Sequence, residues 1–151
     1  MSPSNADLIR PIFEQWGRGN WRPRFDAYHP HMEWGWSDEF PGLGGVCDDS
    51  RDPNPRMRAW LREWKDWRAE AEEFLELDDY VVVLTRYYGR GRVSGAEVQQ
   101  KGAHVFKLRD RQVVRLEIFA DRERALESVR AARSSFRPAA SCGRAPVGRR
   151  A

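Results

Sequence analysis

Apolar residues near the start of the chain recur every three or four positions, which is the spacing of one helical face. Ser4 or Asn5 could cap such a helix, and the sequence GRGN at 17–20 would end it. We therefore predict a first helix whose buried face carries five apolar residues: Leu8, Ile9, Ile12, Phe13 and Trp16.

The next fifty residues change between helical and strand spacing. A short second helix is predicted over 21–28. Residues 29–36 (HPHMEWGW) alternate with period two, which places Met32, Trp34 and Trp36 on one face of a strand. Residues 37–55 are rich in Gly, Pro and Asp and predict a long loop. Helical spacing then predicts a long helix over 56–67, with its apolar face formed by Met57, Trp60, Leu61, Trp64 and Trp67.

The second half of the chain is typical of strands joined by short turns. Turn signals at LDD, VSG and RDRQ separate the apolar runs, which indicates an antiparallel meander. Asp121 is placed to cap a final helix that runs through Val129. The predicted strands are 71–77, 80–92, 96–110 and 111–120, and the last of these contributes Val114, Leu116 and Ile118 to the interior.

This order of elements predicts an α+β fold. Helices come first, followed by a sheet long enough to curl around them and by one closing helix. We therefore expect a curved antiparallel sheet wrapped around the N-terminal helices, forming a cone with an internal pocket. Residues 1–133 form the single predicted domain, and 134–151 have the composition of a disordered basic C-terminal tail.

Charge and composition exclude several function classes. The chain of 151 residues has a net charge of +3, but the tail holds four arginines and no acid, which leaves 22 basic and 23 acidic residues elsewhere. No basic stripe with exposed aromatics is visible, so we expect no nucleic-acid partner. No membrane span or secretory signal is visible, and two distant cysteines, Cys47 and Cys142, fit a reducing cytoplasm.

His104 is the best candidate for chemistry. It lies in the run QKGAHVFKL, where alternation places it on the same face as Gly102, Phe106 and Leu108. Imidazole exchanges protons near neutral pH, and burial would keep it neutral. Two interpretations stay open: a satisfied core histidine, and a group that faces a ligand.

Several motifs resemble a SnoaL-like member of the nuclear transport factor 2-like (cystatin-like cone) superfamily. They are WGRGN, YHPHMEW, RAWLREWKDW, DDYVVVLTRYYGRGRVSG and AHVFKLRDRQVVRLEIFADRERALE, and the resemblance as a whole extends over about residues 5–130. The resemblance implies the cone fold, a homodimer, and relatives that include ketosteroid isomerases, epoxide hydrolases and polyketide cyclases.

The catalytic positions of those relatives transfer poorly. An oxyanion-binding acid of the isomerases aligns with His104, but their tyrosine aligns with Ile12 and their base with Trp36. The epoxide hydrolase arginine and carboxylate align with Gly102 and Ile118. The resemblance therefore implies neither reaction for this chain.

We expect the cone to bind a small, largely apolar molecule, and no cofactor. A cyclase, isomerase or dehydratase would use His104 as an acid, a base or a hydrogen-bond donor. A non-catalytic binding module is the alternative, as is a dimeric interaction domain with a filled cone that pairs through Val82, Leu84, Val105 and Phe119. The expected pocket wall consists of Trp34, Trp36, Tyr87, Phe106, Leu116 and Ile118.

Metal binding is not predicted. His29, His31 and Glu33 have alternate spacing, but Pro30 interrupts them and they oppose the inward tryptophans. Five acids of the long loop could reach the cone mouth as a replacement base, although solvated charge explains them as well: Asp38, Glu39, Asp48, Asp49 and Asp52.

Overall fold

The computed structural model describes residues 4–21, 25–36, 47–48 and 55–134, which contain three helices and one six-stranded sheet. In chain order the elements are α1 (Asn5–Gly17), β1 (Tyr28–Trp36), β2 (Cys47–Asp48), α2 (Pro55–Arg62), β3 (Trp64–Leu77), β4 (Tyr80–Gly91), β5 (Glu97–Arg109), β6 (Gln112–Phe119) and α3 (Arg122–Ser134).

The sheet confirms the predicted fold class. Its strand order is β2-β1-β6-β5-β4-β3, and β3 to β6 form the predicted antiparallel meander. β1 runs parallel to β6, and β2 pairs with β1 in the antiparallel sense. The sheet curls into a half-barrel, with α1 packed on its concave face and α3 on its convex face.

Helix α1 is fixed at its N-terminus by hydrogen bonds to side chains. Ser4 Oγ accepts from the Asp7 amide at 3.1 Å, and Asp7 Oδ2 accepts from the Ser4 amide at 3.2 Å, which is a capping box. Glu76 Oε2 of β3 accepts from the Ala6 amide at 3.2 Å. The predicted apolar face is buried from Ile9 to Trp16 and joins the main core.

The predicted helix over 56–67 is wrong after Arg62. Trp64 and Trp67 lie on β3, where a bulge between Trp64 and Asp66 inserts one extra residue. Two residues three apart normally point to opposite faces of a strand, but the bulge lets both tryptophans face the core. Gly89 on β4 makes room for them, because a Cβ there would lie 2.5 Å from Cε3 of Trp67 and 2.8 Å from Cε3 of Trp64.

The predicted helix over 21–28 is also wrong at its end. Tyr28 is the first residue of β1, and its amide donates to the Phe25 carbonyl across a turn. Residues 22–24 lie outside the described part of the chain. Tyr28 is extended and not helical because its backbone pairs with Val113 of β6.

Helix α3 begins at the predicted cap. Asp121 Oδ1 accepts from the Glu123 amide at 2.9 Å. The helix buries Ala125 and Val129 against the convex face of the sheet, in a second apolar cluster with Val82, Ala103, Val105 and Phe119. Three of the four residues expected to form an outer dimer face are therefore covered by α3 of the same chain, and Leu84 packs against the same cluster.

Strand β3 forms one edge of the sheet. Its charged side chains face away from the core along most of its length, and the indole nitrogen of Trp21 donates to the Trp67 carbonyl at 2.7 Å. The outward-facing charged residues are Lys65, Asp66, Arg68, Glu70, Glu72 and Glu73, whereas Glu76 reaches α1.

Helix α3 ends at Ser134, and the domain boundary at residue 133 stays a prediction. Residues 135–151 lie outside the described ranges, so the disordered tail stays a prediction. Within the described ranges, no helix is long and apolar enough to cross a membrane.

Candidate functional site

His104 lies in the middle of the concave face of the sheet. Its backbone pairs with Val83 of β4 on one side and with Ile118 of β6 on the other. The side chain is 1% exposed, and Thr85 is the other buried polar residue among those the structure describes. The sequence pattern therefore located the face of His104 correctly.

Two hydroxyl groups approach the same nitrogen of this ring. Thr85 Oγ1 lies 3.1 Å from Nδ1 of His104, and Tyr87 Oη lies 3.4 Å from it. The Thr85 hydroxyl donates its hydrogen to the Val83 carbonyl at 3.0 Å, so its oxygen is free to accept from Nδ1–H. The tautomer that fits this bond carries the proton of the neutral imidazole on Nδ1 and the lone pair on Nε2, whereas the opposite tautomer would have Nδ1 accept from a hydroxyl.

No hydrogen bond from the described residues reaches Nε2 of His104, since both bonds of the ring use Nδ1. Burial lowers the pKa of His104 to about 3, because no nearby anion offsets the loss of water around the cation. The ring is therefore neutral at physiological pH, and in the Nδ1–H tautomer Nε2 is a hydrogen-bond acceptor.

Tyr87 reaches His104 because of a glycine on the neighbouring strand. Its ring stacks on Trp67 with 5.7 Å between centroids, and a Cβ on Gly102 would lie 2.6 Å from Cε2 of Tyr87. Burial raises the pKa of the Tyr87 hydroxyl, so it stays protonated. Tyr88 faces outward under Arg68, which agrees with the choice of Tyr87 as the inward tyrosine.

Aromatic rings enclose the imidazole from the helix side and from its own strand. The centroid of the His104 ring lies 5.3 Å from that of Phe13, 5.1 Å from Trp16 and 6.2 Å from Phe106. Nε1 of Trp16 is buried and has no hydrogen-bond partner among the described residues. The site thus places an unused donor, Nε1 of Trp16, beside an imidazole whose Nε2 takes no hydrogen bond from the described residues.

Most of the predicted wall belongs to the same core. Trp34, Phe106, Leu116 and Ile118 are all at most 8% exposed and join the cluster that contains α1. Trp36 pairs its backbone with Ile118, and its side chain lies outside the described part of the chain.

Val114 is not part of this interior, contrary to the sequence prediction. A bulge between β5 and β6 opposes Lys107 with Arg115 and Leu108 with Val113, so that Val114 is the extra residue. The alternation of faces shifts there, and Val113 is the buried residue instead.

A charged cluster lies on the convex face directly behind the site. Arg122 of α3 donates through Nη2 to the Thr85 carbonyl at 2.8 Å and through Nε to the Gly102 carbonyl at 3.0 Å. Its Nη2 also contacts Glu72 Oε1 at 2.6 Å, and Arg86 contacts Glu72 Oε2 at 2.7 Å. Hydrogen bonds from Arg122 and then from Arg86 lower the pKa of Glu72 to about 2.

Thr85, Trp16 and Arg122 are the residues that sequence reasoning missed. Period-two alternation from Tyr87 already places Thr85 on the inward face of β4, so that signal was available. The role of Trp16 depends on how α1 crosses the sheet, and Arg122 reaches strands that are distant in sequence. No local pattern predicts either contact.

The alternative chemistries receive little support from the described residues. Glu33 forms an ion pair with Arg115 at 2.8 Å, and the side chain of His31 lies outside the described part. No group of three or more metal-ligating side chains was found among the residues with described positions. The side chains of all five loop acids lie outside those positions.

Comparisons with known proteins agree with this fold. The family model for the SnoaL-like domain matches residues 9–116. No curated protein sequence matches the chain. Among solved structures, an NTF2-like protein from Burkholderia thailandensis is 20% identical with a TM-score of 0.67, covering 85% of this chain and 98% of that one.

Two further structures have similar scores. A protein from Jannaschia sp. assigned as a SnoaL-like polyketide cyclase is 20% identical with a TM-score of 0.60, covering 91% of this chain and 99% of its own. TerC, co-crystallised with polyporic acid, is 18% identical with a TM-score of 0.65, covering 82% and 95%. At these identities the likeness establishes the fold alone.

Proposed function

The chain belongs to the SnoaL-like domain family, and on that premise we propose that it binds a small, largely apolar molecule on the concave side of its sheet, at His104. One observation carries this proposal: within the described part of the chain, Nε1 of Trp16 is buried without a hydrogen-bond partner, and both hydrogen bonds of the adjacent His104 ring use Nδ1, not Nε2. A buried polar group without a partner costs about 1–3 kcal/mol, so a ligand that pairs with both groups would recover that free energy.

The chemistry of the two groups defines the ligand. Nε2 accepts a hydrogen bond and Nε1–H donates one, which suits a molecule with a hydroxyl or enol next to a carbonyl. Phe13, Phe106 and Tyr87 surround the imidazole and would contact an apolar, ring-bearing body. TerC, a structural neighbour, was co-crystallised with polyporic acid, which is a small organic molecule.

Proton transfer by His104 is the finer part of the proposal. A cyclase, isomerase or dehydratase step would have Nε2 take a proton from a carbon next to a ligand carbonyl. Each unit by which the pKa lies below neutrality weakens such a base by about 1.4 kcal/mol. With a pKa of about 3 in the free protein, His104 favours binding over proton abstraction.

A binding test separates the two groups from simple packing. Wild-type protein, His104→Gln, Trp16→Phe and the control His29→Gln would be titrated with polycyclic hydroxy-ketones and followed by thermal shift. We expect the ligand to raise the melting temperature of the wild type and of His29→Gln. Its affinity should fall about fivefold with Trp16→Phe, which keeps an aromatic ring at this position but removes the N–H donor.

The proposal fails if compounds that bind the wild type bind His104→Gln and Trp16→Phe equally well. Trp16→Phe keeps the test decisive if His104→Gln does not fold. Should no compound shift any variant, the second candidate function gains: a homodimeric interaction domain with a filled cone. The contacts of Phe13 and Trp16 with His104 favour that candidate, and sedimentation would measure its oligomeric state.

A further inference from the structure

A cleft of about 480 Å³ lies beside α1, away from His104. It lies between the outer side of the helix, the turn before β1 and the hairpin that joins β5 to β6. Its volume falls in the range of small-molecule or peptide pockets. The lining combines apolar residues (Leu8, Pro11, Ile12, Phe25 and Ala27) with polar ones (Asp7, Glu14, Gln15, Asp26 and Arg111).

The cleft has an excess of negative charge that the fold does not use. Glu14 and Asp26 are exposed and take part in no ion pair within the described chain. Asp7 is already bonded by Ser4 and Arg10. Two acids without an ion pair therefore remain against the single lining cation Arg111, so a cationic occupant is favoured.

Pro11 adds a further acceptor to the cleft. Proline has no N–H, so it cannot donate to the Asp7 carbonyl one helical turn earlier. A carbonyl without its helical donor prefers an external donor, and a guanidinium group offers five N–H donors. Arginine is therefore the side chain that fits this cleft best.

The C-terminal segment has the matching chemistry. Residues 135–151 contain four arginines and no acid, together with the apolar residues Phe136, Pro138 and Val147. This composition complements both the carboxylates and the apolar floor of the cleft.

The segment also begins close to the cleft. Arg133, the penultimate residue of α3, forms an ion pair with Asp78 at 2.7 Å in the turn between β3 and β4. Two residues earlier, Glu76 contacts the Ala6 amide at the start of α1, next to Asp7 of the cleft. The 17 residues that follow α3 can span roughly 56 Å when extended.

We propose that residues 135–151 dock into the cleft beside α1 of their own chain, with arginines paired to Glu14 and Asp26. Covalent attachment gives the segment an effective concentration in the millimolar range, so weak ion pairs suffice. The interaction is electrostatic and decreases with salt.

Cys142 allows a direct test. A nitroxide would be attached to Cys142 in a Cys47→Ser background, and amide signals of Leu8, Gln15 and Ala27 followed by NMR. We expect these signals to lose intensity at low salt and to recover at 1 M NaCl, where the screening length is about 3 Å. Glu14→Gln with Asp26→Asn should restore the intensity, whereas the control pair Glu63→Gln with Glu73→Gln should not.

Three outcomes would overturn the proposal. The first is undiminished intensity in the parent protein. The second is an equal loss in both double variants, which would make the cleft carboxylates irrelevant. The third comes from a mixture of two proteins, one with the nitroxide but without ¹⁵N and the other with ¹⁵N but without the nitroxide. Broadened signals in that mixture would mean that the segment docks on another molecule.

Discussion

The two faces of the sheet treat polar groups in opposite ways. On the concave face, His104 is neutral, enclosed by aromatic rings, and bonded through one nitrogen only. On the convex face, Glu72 is ionised and held by Arg86 and Arg122, with solvent close by. The difference teaches that burial without a counter-charge leaves a group available for a ligand, whereas paired charges use their capacity within the fold.

The two faces are nevertheless connected through the backbone. Arg122 bonds the carbonyls of Thr85 and Gly102 from outside, and these two residues are paired across β4 and β5. Thr85 contacts His104 on the inside, and Gly102 makes the space for Tyr87. The convex cluster therefore fixes the strands on which the concave site is built.

The largest effect should come from filling the space at Gly102. Gly102→Ala places a Cβ 2.5 Å from the Phe119 carbonyl oxygen and 2.6 Å from Tyr87, and we expect a loss of about 2–3 kcal/mol in the free energy of unfolding. Gly17→Ala is the control, because its nearest neighbours lie at 3.8 Å. Denaturant unfolding measures both, and a neutral Gly102→Ala would contradict the close packing described for Tyr87.

The next effect concerns pH. The pKa of His104 is about 3 in the folded state and about 6.5 when unfolded, so the unfolded state binds the proton more readily between those values. Stability is full above pH 6.5 and falls with acidification by up to about 1.4 kcal/mol per pH unit.

His104→Gln should remove this dependence, and His29→Gln should not. The measurement is denaturant unfolding at pH 7, 6 and 5 for the three proteins. A slope unchanged in His104→Gln would show that another group causes the acid sensitivity.

A smaller effect is expected on the convex face. Arg122→Ala leaves two backbone carbonyls without their charged donor, and because water can reach this partly exposed site it should cost about 1 kcal/mol. Arg86→Ala, which loses only the contact with Glu72, should cost less. Only Arg122→Ala should also shift the ¹⁵N resonances of His104, since Arg122 holds the strands behind that ring. If both variants changed the His104 resonances equally, the contacts of Arg122 with the backbone would not connect the two faces of the sheet.

The smallest effect belongs to the exposed pair of Arg90 and Glu97. Arg90→Ala should change the free energy of unfolding by no more than about 0.5 kcal/mol, because water and salt screen the pair. Urea titrations at low and high salt measure it. A larger loss would mean that this exposed ion pair on the convex face stabilises the fold, although it is in contact with water.

The sequence predicted the meander, both helix caps and the inward direction of His104, because each follows from local spacing. It failed wherever an extra residue changes the alternation. The bulge after Trp64 gave the start of β3 the apolar spacing of a helix. The bulge at Val114 put Val113 in the interior in place of Val114. Such bulges depend on the partner strand, which no local window contains.

The candidate site was predicted only in part for the same reason. His104 and Tyr87 were found from strand parity, but the assignment of the imidazole proton depends on Thr85, which lies on the neighbouring strand. The sequence also did not predict that α3 covers Val82, Val105 and Phe119. An apolar outer face has the same sequence pattern whether a helix of the same chain or a second subunit covers it.

Strand β3 has a consequence for the protein at high concentration. An uncovered border strand can recruit a strand from a neighbouring molecule and so begin a growing fibril. Here the edge strand carries many carboxylate and guanidinium side chains, and the indole N–H of Trp21 already donates to the Trp67 carbonyl. A like strand arriving there would bring like charges together, so polymerisation through this border is disfavoured from the outset.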